Sequence, residues 1–156
     1  MVLAAKMRIV LKRENILLVD DDELLAKMVA ELLRHKGYEV WTAGNGLDGF
    51  ASYRQHQAET VVTDIDMPEL DGFEMVRCIR VINPLVRTIY TSGAPEQYRG
   101  TLANEAQNFG AAVLRKPFAE MDLLKLISSS IRESVELESP NDWSTDRKKH
   151  VWRHAV

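Results

Sequence analysis

The chain has one cysteine, five prolines, eight glycines and few aromatics, which make up 7% of its 156 residues. The lone Cys78 has no partner for an internal disulfide, which excludes a disulfide-stapled scaffold and fits a reducing compartment. Glycine and proline at this level exclude collagen-like and low-complexity chains. No stretch approaches the about 20 apolar residues of a membrane span. Lys6, Arg8, Lys12 and Arg13 interrupt the N-terminus before any apolar run reaches secretory length. Neither sign of charge dominates: 20 Lys and Arg stand against 23 Asp and Glu, a net charge of -3. No whole-molecule attraction to nucleic acid or to an anionic membrane is therefore expected. The expected address is the cytoplasm.

What is present is an ordinary globular balance, 46% hydrophobic and 28% charged. A chain of this length buries about two-thirds of its unfolded surface, enough for a core without metal or disulfide staples. Ile16–Val19 is a short apolar run bounded by charge, the pattern of a strand buried on both faces of a parallel sheet. Beyond Asp21, Leu24, Leu25, Met28, Val29, Leu32 and Leu33 recur at helical spacing, with an aspartate at the N-cap and Gly37 past the end. The alternation continues with strands over 39–43, 60–63, 87–90 and 111–114. Helices are expected over 47–56, 73–82, 97–108 and 121–134, and Asn83-Pro84 ends the third.

Single helices between strands imply right-handed parallel crossovers, hence a doubly wound five-stranded α/β domain with helices on both faces. This domain is expected over 14–134. A basic extension over 1–13 precedes it, and a polar, flexible tail over 135–156 follows, too short for an appended DNA-binding domain.

Ligands in such sheets bind beyond the carboxyl ends of the strands. Here those ends carry Asp20-Asp21-Asp22, Asp64-Ile65-Asp66-Met67-Pro68, Thr91-Ser92-Gly93 and Lys116-Pro117. Acidic side chains crowded at one edge repel one another unless a cation neutralises them, and an all-oxygen set suits magnesium. A carboxylate can also attack phosphorus to give an acyl phosphate when cations offset the spreading charge. Asp64, alone at the end of an apolar strand, is the candidate nucleophile. The pair Asp20 and Asp21 is the candidate metal site, and Thr91 and Lys116 are candidates for phosphoryl oxygens.

Leu17-Leu18-Val19-Asp20-Asp21, Val62-Thr63-Asp64-Ile65-Asp66-Met67-Pro68 with Asp71-Gly72, Tyr90-Thr91-Ser92-Gly93 and Lys116-Pro117-Phe118 together resemble the receiver domain of bacterial response regulators. The resemblance implies strand order 2-1-3-4-5. It also implies that Asp64 accepts a phosphoryl group from a sensor histidine kinase or a histidine phosphotransfer protein. Asp20 and Asp21 match the magnesium-binding pair, and Asp66 matches the position that ligates through its main-chain carbonyl. Thr91 matches the switch hydroxyl, and Lys116 the phosphate-contacting lysine. The expected protein is a stand-alone switch acting on itself rather than on a metabolite, monomeric or weakly dimeric, with an unnamed downstream protein target. One departure stands out: Val113 lies where receivers often carry a switch aromatic.

Each motif has a plainer reading when taken singly. Asp20–Asp22 is a helix cap, Asp71-Gly72 and Thr91-Ser92 are turns, and Lys116 is solvated. Two rival functions share part of the pattern. Gly44, Gly46 and Gly49 fit the dinucleotide-binding fingerprint G-x-G-x-x-G, with Asp64 about 20 residues on. Asp64-Ile65-Asp66 resembles the nucleophile and acid of haloacid dehalogenase-type phosphatases, but there the metal-binding acids follow the lysine, whereas here Asp20 and Asp21 open the chain. Neither rival accounts for all four strand ends.

Overall fold

The computed structural model describes residues 7–11, 14–128 and 133–137. They fall into two units, treated separately below. In the first, β1 (Met7–Leu11) pairs antiparallel with β7 (Glu133–Leu137) in a two-stranded ribbon, Met7 opposite Leu137 and Leu11 opposite Glu133.

The second unit is an alternating α/β sheet. Its elements are β2 (Asn15–Val19), α1 (Glu23–His35), β3 (Glu39–Ala43), α2 (Gly46–His56), β4 (Thr60–Asp64), α3 (Gly72–Ile82), β5 (Arg87–Ser92), α4 (Arg99–Phe109), β6 (Ala112–Arg115) and α5 (Glu120–Ser128), with a 3-10 turn at Pro95–Tyr98. The parallel strands lie in the order β3-β2-β4-β5-β6, which is 2-1-3-4-5 counted within the sheet. The doubly wound fold expected from the alternation is the fold observed.

Alternate strand residues divide the core between the two faces, as the period of two requires. Ile16 and Leu18 pack with Ala26, Val29, Ala30 and Leu33 of α1 and with Leu123 and Ile127 of α5. Leu17 and Val19 join the opposite cluster, with Tyr53 of α2 and Phe73, Met75, Val76 and Ile79 of α3. Burying this apolar surface contributes about 25 cal/mol for each Å² removed from water.

Caps fix where the helices begin, and so how the strand ends are presented. Asp22 Oδ1 accepts from the Leu25 amide at 3.0 Å at the start of α1. Asp71 and Glu74 form a reciprocal capping box at the start of α3, at 2.8 and 3.3 Å.

Two segments differ from the sequence expectation. The basic extension contains a strand, and the helix expected over 121–134 has given way to β7 by Glu133, with residues 129–132 outside the described residues. Apolar spacing could not mark the change, because Ile131 and Val135 follow Ile127 at helical steps, and in the extension the basic charge obscured the β-branched pair Ile9-Val10. Most of the expected flexible tail, residues 138–156, lies outside the described residues.

Candidate functional site

Four of the five sheet strands, all but β3, deliver a polar residue to the same edge. β2 runs into Asp20, whose amide continues the ladder by donating to Ala43 O at 3.1 Å. β4 ends on Asp64, in register with Thr91 of β5, and the Ile65 amide donates to Thr91 O at 3.0 Å. β6 leads to Lys116, whose amide donates to Ser92 O at 2.8 Å, and the Lys116–Pro117 peptide is cis. The turn after Asp64 depends on Gly72: a Cβ there would lie 2.2 Å from the Asp64 carbonyl oxygen. No other residue allows α3 to start so close to the strand end.

The carboxylates of Asp20, Asp21 and Asp64 each offer an oxygen within 4.8 Å of the others. Asp20 and Asp64 are buried and Asp21 is exposed, so the cluster opens to solvent on one side. Lys116 Nζ donates to Asp20 Oδ2 at 2.7 Å and lies 3.4 Å from Asp64 Oδ2. Desolvation pushes the Asp64 carboxyl up to about 6, with the Lys116 charge opposing and the Asp20 charge adding. Burial alone would lower the Lys116 ammonium, but its hydrogen bond to Asp20 and the charges of Asp20 and Asp64 outweigh that and raise it.

The balance is three carboxylates against one ammonium. The excess is negative, and all-oxygen donors of this kind fit a hard divalent ion. The donors present therefore suit magnesium.

The structure brings together Asp20, Asp21, Asp64, Thr91 and Lys116, all singled out from the sequence. Asp66 lies beside them differently. Its amide faces Asp64 Oδ1 at 3.4 Å, while its carboxylate accepts from Ser92 Oγ at 3.3 Å and from the Tyr98 hydroxyl. Tyr98 escaped the sequence reading because the expected helix over 97–108 absorbed it, whereas it closes the 3-10 turn at Pro95–Tyr98 and α4 begins at Arg99. Its aromatic ring in that setting was the available signal.

The rival readings lose their footing here. Gly46 and Gly49 are demanded by packing, since a Cβ would lie 2.3 Å from Leu70 O or 2.5 Å from Met75 Sδ, and β3 before them is an edge strand. The phosphatase reading needs the Asp66 carboxylate as an acid toward Asp64, but that carboxylate is held by Ser92 and Tyr98.

Residues 16–128 match the response regulator receiver domain family. The chain belongs to that family. It is 31% identical over 119 residues to the chemotaxis protein CheY of Bacillus subtilis, covering 75% of this chain and 97% of the relative. A receiver domain protein from Clostridium thermocellum superimposes with a TM-score of 0.68 at 29% identity, over 76% of this chain and 94% of that one. The receiver domain of the Pseudomonas aeruginosa sensor histidine kinase PA1611, solved with magnesium coordinated in its active site cleft, gives 0.65 at 26% identity, over 77% and 98%. The chain spans 64%, 30% and 49% of three transcriptional regulators it also matches. A receiver is a phosphorylation-controlled switch of two-component signalling, and the acid edge is where this receiver keeps its charge. Among the described residues no helix is long and apolar enough to cross a membrane.

Proposed function

We propose that Asp64 is the phospho-acceptor of this receiver, taking a phosphoryl group from a sensor histidine kinase or a histidine phosphotransfer protein. One observation carries this reading: Asp64 is buried at the end of the central strand, with Lys116 and two further carboxylates around it. Asp20, Asp21, Asp64 and the main-chain carbonyl of Asp66 would hold magnesium, which when bound supplies positive charge against the phosphoryl oxygens.

The remaining chemistry belongs to the chain. A carboxylate oxygen of Asp64 attacks phosphorus as the bond to the donor's imidazole nitrogen breaks, and the electron pair leaves with the imidazole. Lys116 pairs with a phosphoryl oxygen, exchanging part of its contact with Asp20 and Asp64 for a charge-assisted bond. Thr91, in register with Asp64, donates its hydroxyl to another. These new partners bias the loops after β4 and β5, and a protein that prefers one arrangement is recruited or released. In this reading the chain is a cytoplasmic regulator rather than an enzyme acting on a separate substrate. The receiver fold of this reading is the parallel-sheet unit, described over residues 14–128.

Intact-mass spectrometry after incubation with acetyl phosphate and magnesium tests the assignment. The expected result is a magnesium-dependent gain of one phosphoryl mass, reversed by hydroxylamine and absent in Asp64→Asn. An unchanged adduct in that variant overturns it, as does no adduct in the folded parent protein.

A further inference from the structure

A groove of about 420 Å³ lies between α3 and α4 and shares no residue with the acid edge. Phe73, Arg77 and Arg80 recur at helical spacing and so line it from one face of α3, and Pro84 continues that wall past the helix end. Glu105 and Phe109, one turn apart on α4, belong to the opposite wall. The lining is largely apolar, which suits a carbon skeleton rather than a hydrated ion.

The charges around the groove do not cancel. Arg80 is committed to Glu105 through Nη1 and Nη2, and the Phe109 ring covers its guanidinium. The Glu105 carboxylate is filled in turn by Arg80 and by the Tyr90 hydroxyl. This pair is structural, yet it leaves Arg80 Nε buried without a hydrogen-bond partner. Arg77 is exposed, and among the described residues it has no ion-pair partner. The acid one turn before it, Glu74, is engaged by the Asp71 amide at 3.3 Å. Two guanidiniums therefore line the groove against one carboxylate.

A monoanion matches that excess, whereas a phosphate ester would carry about two negative charges into a largely apolar lining. Phe109 is 46% exposed, so its ring keeps surface that Arg80 does not cover. A second aromatic ring is the group that gains most from such a surface. We propose that this groove is a binding site for a small aromatic carboxylic acid, with the carboxylate paired to Arg77 and the ring laid against Phe109. The fork of a guanidinium suits a planar carboxylate, which can take two parallel bonds from it. The site does not depend on Asp64 being the phospho-acceptor.

The test titrates phenylacetate into the full chain and follows backbone amide shifts by NMR. Saturable shifts are expected, centred on Thr101 and Asn104, which also line the groove, with a Kd of about 1 mM or tighter. Acetate lacks the ring and phenylacetamide lacks the charge, and each is expected to bind at least about tenfold more weakly. Arg77→Gln loses a similar factor while keeping the parent's urea midpoint, because an exposed, unpaired side chain contributes little to folding. Phe109→Leu also weakens binding. Unchanged affinity in Arg77→Gln overturns the inference, as does acetate or phenylacetamide binding as tightly as phenylacetate. Absent shifts, or shifts centred on the acid edge, overturn it as well. The acceptor assignment stands or falls separately, on the mass measurement with Asp64→Asn.

Discussion

Two of the receiver's buried charge clusters are balanced differently. In the first, Arg80 of α3 meets Glu105 of α4 through two parallel contacts of 3.0 and 2.7 Å, and the Tyr90 hydroxyl donates to the same carboxylate at 2.8 Å. Arg80 also lies 3.6 Å from the centre of the Phe109 ring. One cation faces one anion, and the carboxylate is saturated by donors. In the second, Asp20 and Asp64 share Lys116, with the exposed Asp21 carboxylate beside them. The first cluster is matched in charge, with Arg80 Nε buried without a hydrogen-bond partner, and it links two helices to the sheet. The second needs something brought to it, and that distinguishes a site from a structural ion pair.

Removing half of the matched cluster produces the largest loss of stability. Glu105→Ala leaves the Arg80 guanidinium buried without its anion and the Tyr90 hydroxyl without its acceptor, at a cost of about 3–5 kcal/mol. Urea denaturation measures it, and the double change Arg80→Met with Glu105→Leu recovers most of the loss because no charge is then left unpaired. A single-variant cost below about 1 kcal/mol would mean that water already reaches this pair.

The unmatched cluster has the opposite sign. Asp64 titrates near 6 in the folded protein against an ordinary 3.8, so above pH 6 folding carries the cost of a buried carboxylate, and below pH 4 that cost is gone. In metal-free buffer Asp64→Asn therefore stabilises the protein at pH 7 to 8 by about 1–2 kcal/mol. The gain fades as pH falls from 6 towards 4. Thermal melts across that range check the sign, and a loss of stability at pH 8 would show that Lys116 already compensates Asp64 fully.

Magnesium sharpens the contrast at smaller amplitude. An ion that binds only the folded state stabilises it by about 1 kcal/mol at a few times its Kd. The melting temperature of the parent should rise with magnesium at pH 7.5, and that of Asp20→Ala should not. The rise should persist in the Arg80→Met, Glu105→Leu protein. If that double variant also loses it, the two clusters are coupled through Phe73 and Tyr90, whose rings stand 4.8 Å apart.

These predictions depend unequally on what the chain spells out locally. The sheet was legible because Ile16–Val19 and Val61–Val62 are apolar without alternation, as strands covered on both faces must be. The acid edge was legible because strand ends are consecutive in sequence: Asp20 follows Val19, and Asp64 closes Thr60–Asp64. The hydrogen bonds to the Asp66 carboxylate were not, because Ser92 and Tyr98 lie 26 and 32 residues away and no periodicity marks such a pairing. Arg80 and Glu105, 25 residues apart on two helices, read as ordinary surface charges for the same reason. The β1–β7 ribbon was missed because strands so distant in sequence announce their pairing only when folded.

The smallest effect is expected at Val113, where receivers often place an aromatic. It is 45% exposed on β6 and in register with Tyr90 of β5. Tyr90 is fully buried with its hydroxyl committed to Glu105, so the position beside Val113 is already held in the matched cluster. Val113→Ala should therefore change stability by less than about 0.5 kcal/mol, the usual range for a surface position. It should also leave the lifetime of the Asp64 adduct unchanged. Tyr98 is instead an aromatic that reaches Asp66, next to the acid edge, through a hydrogen bond. A lifetime altered by Val113→Ala would place control of this receiver at the β5–β6 edge.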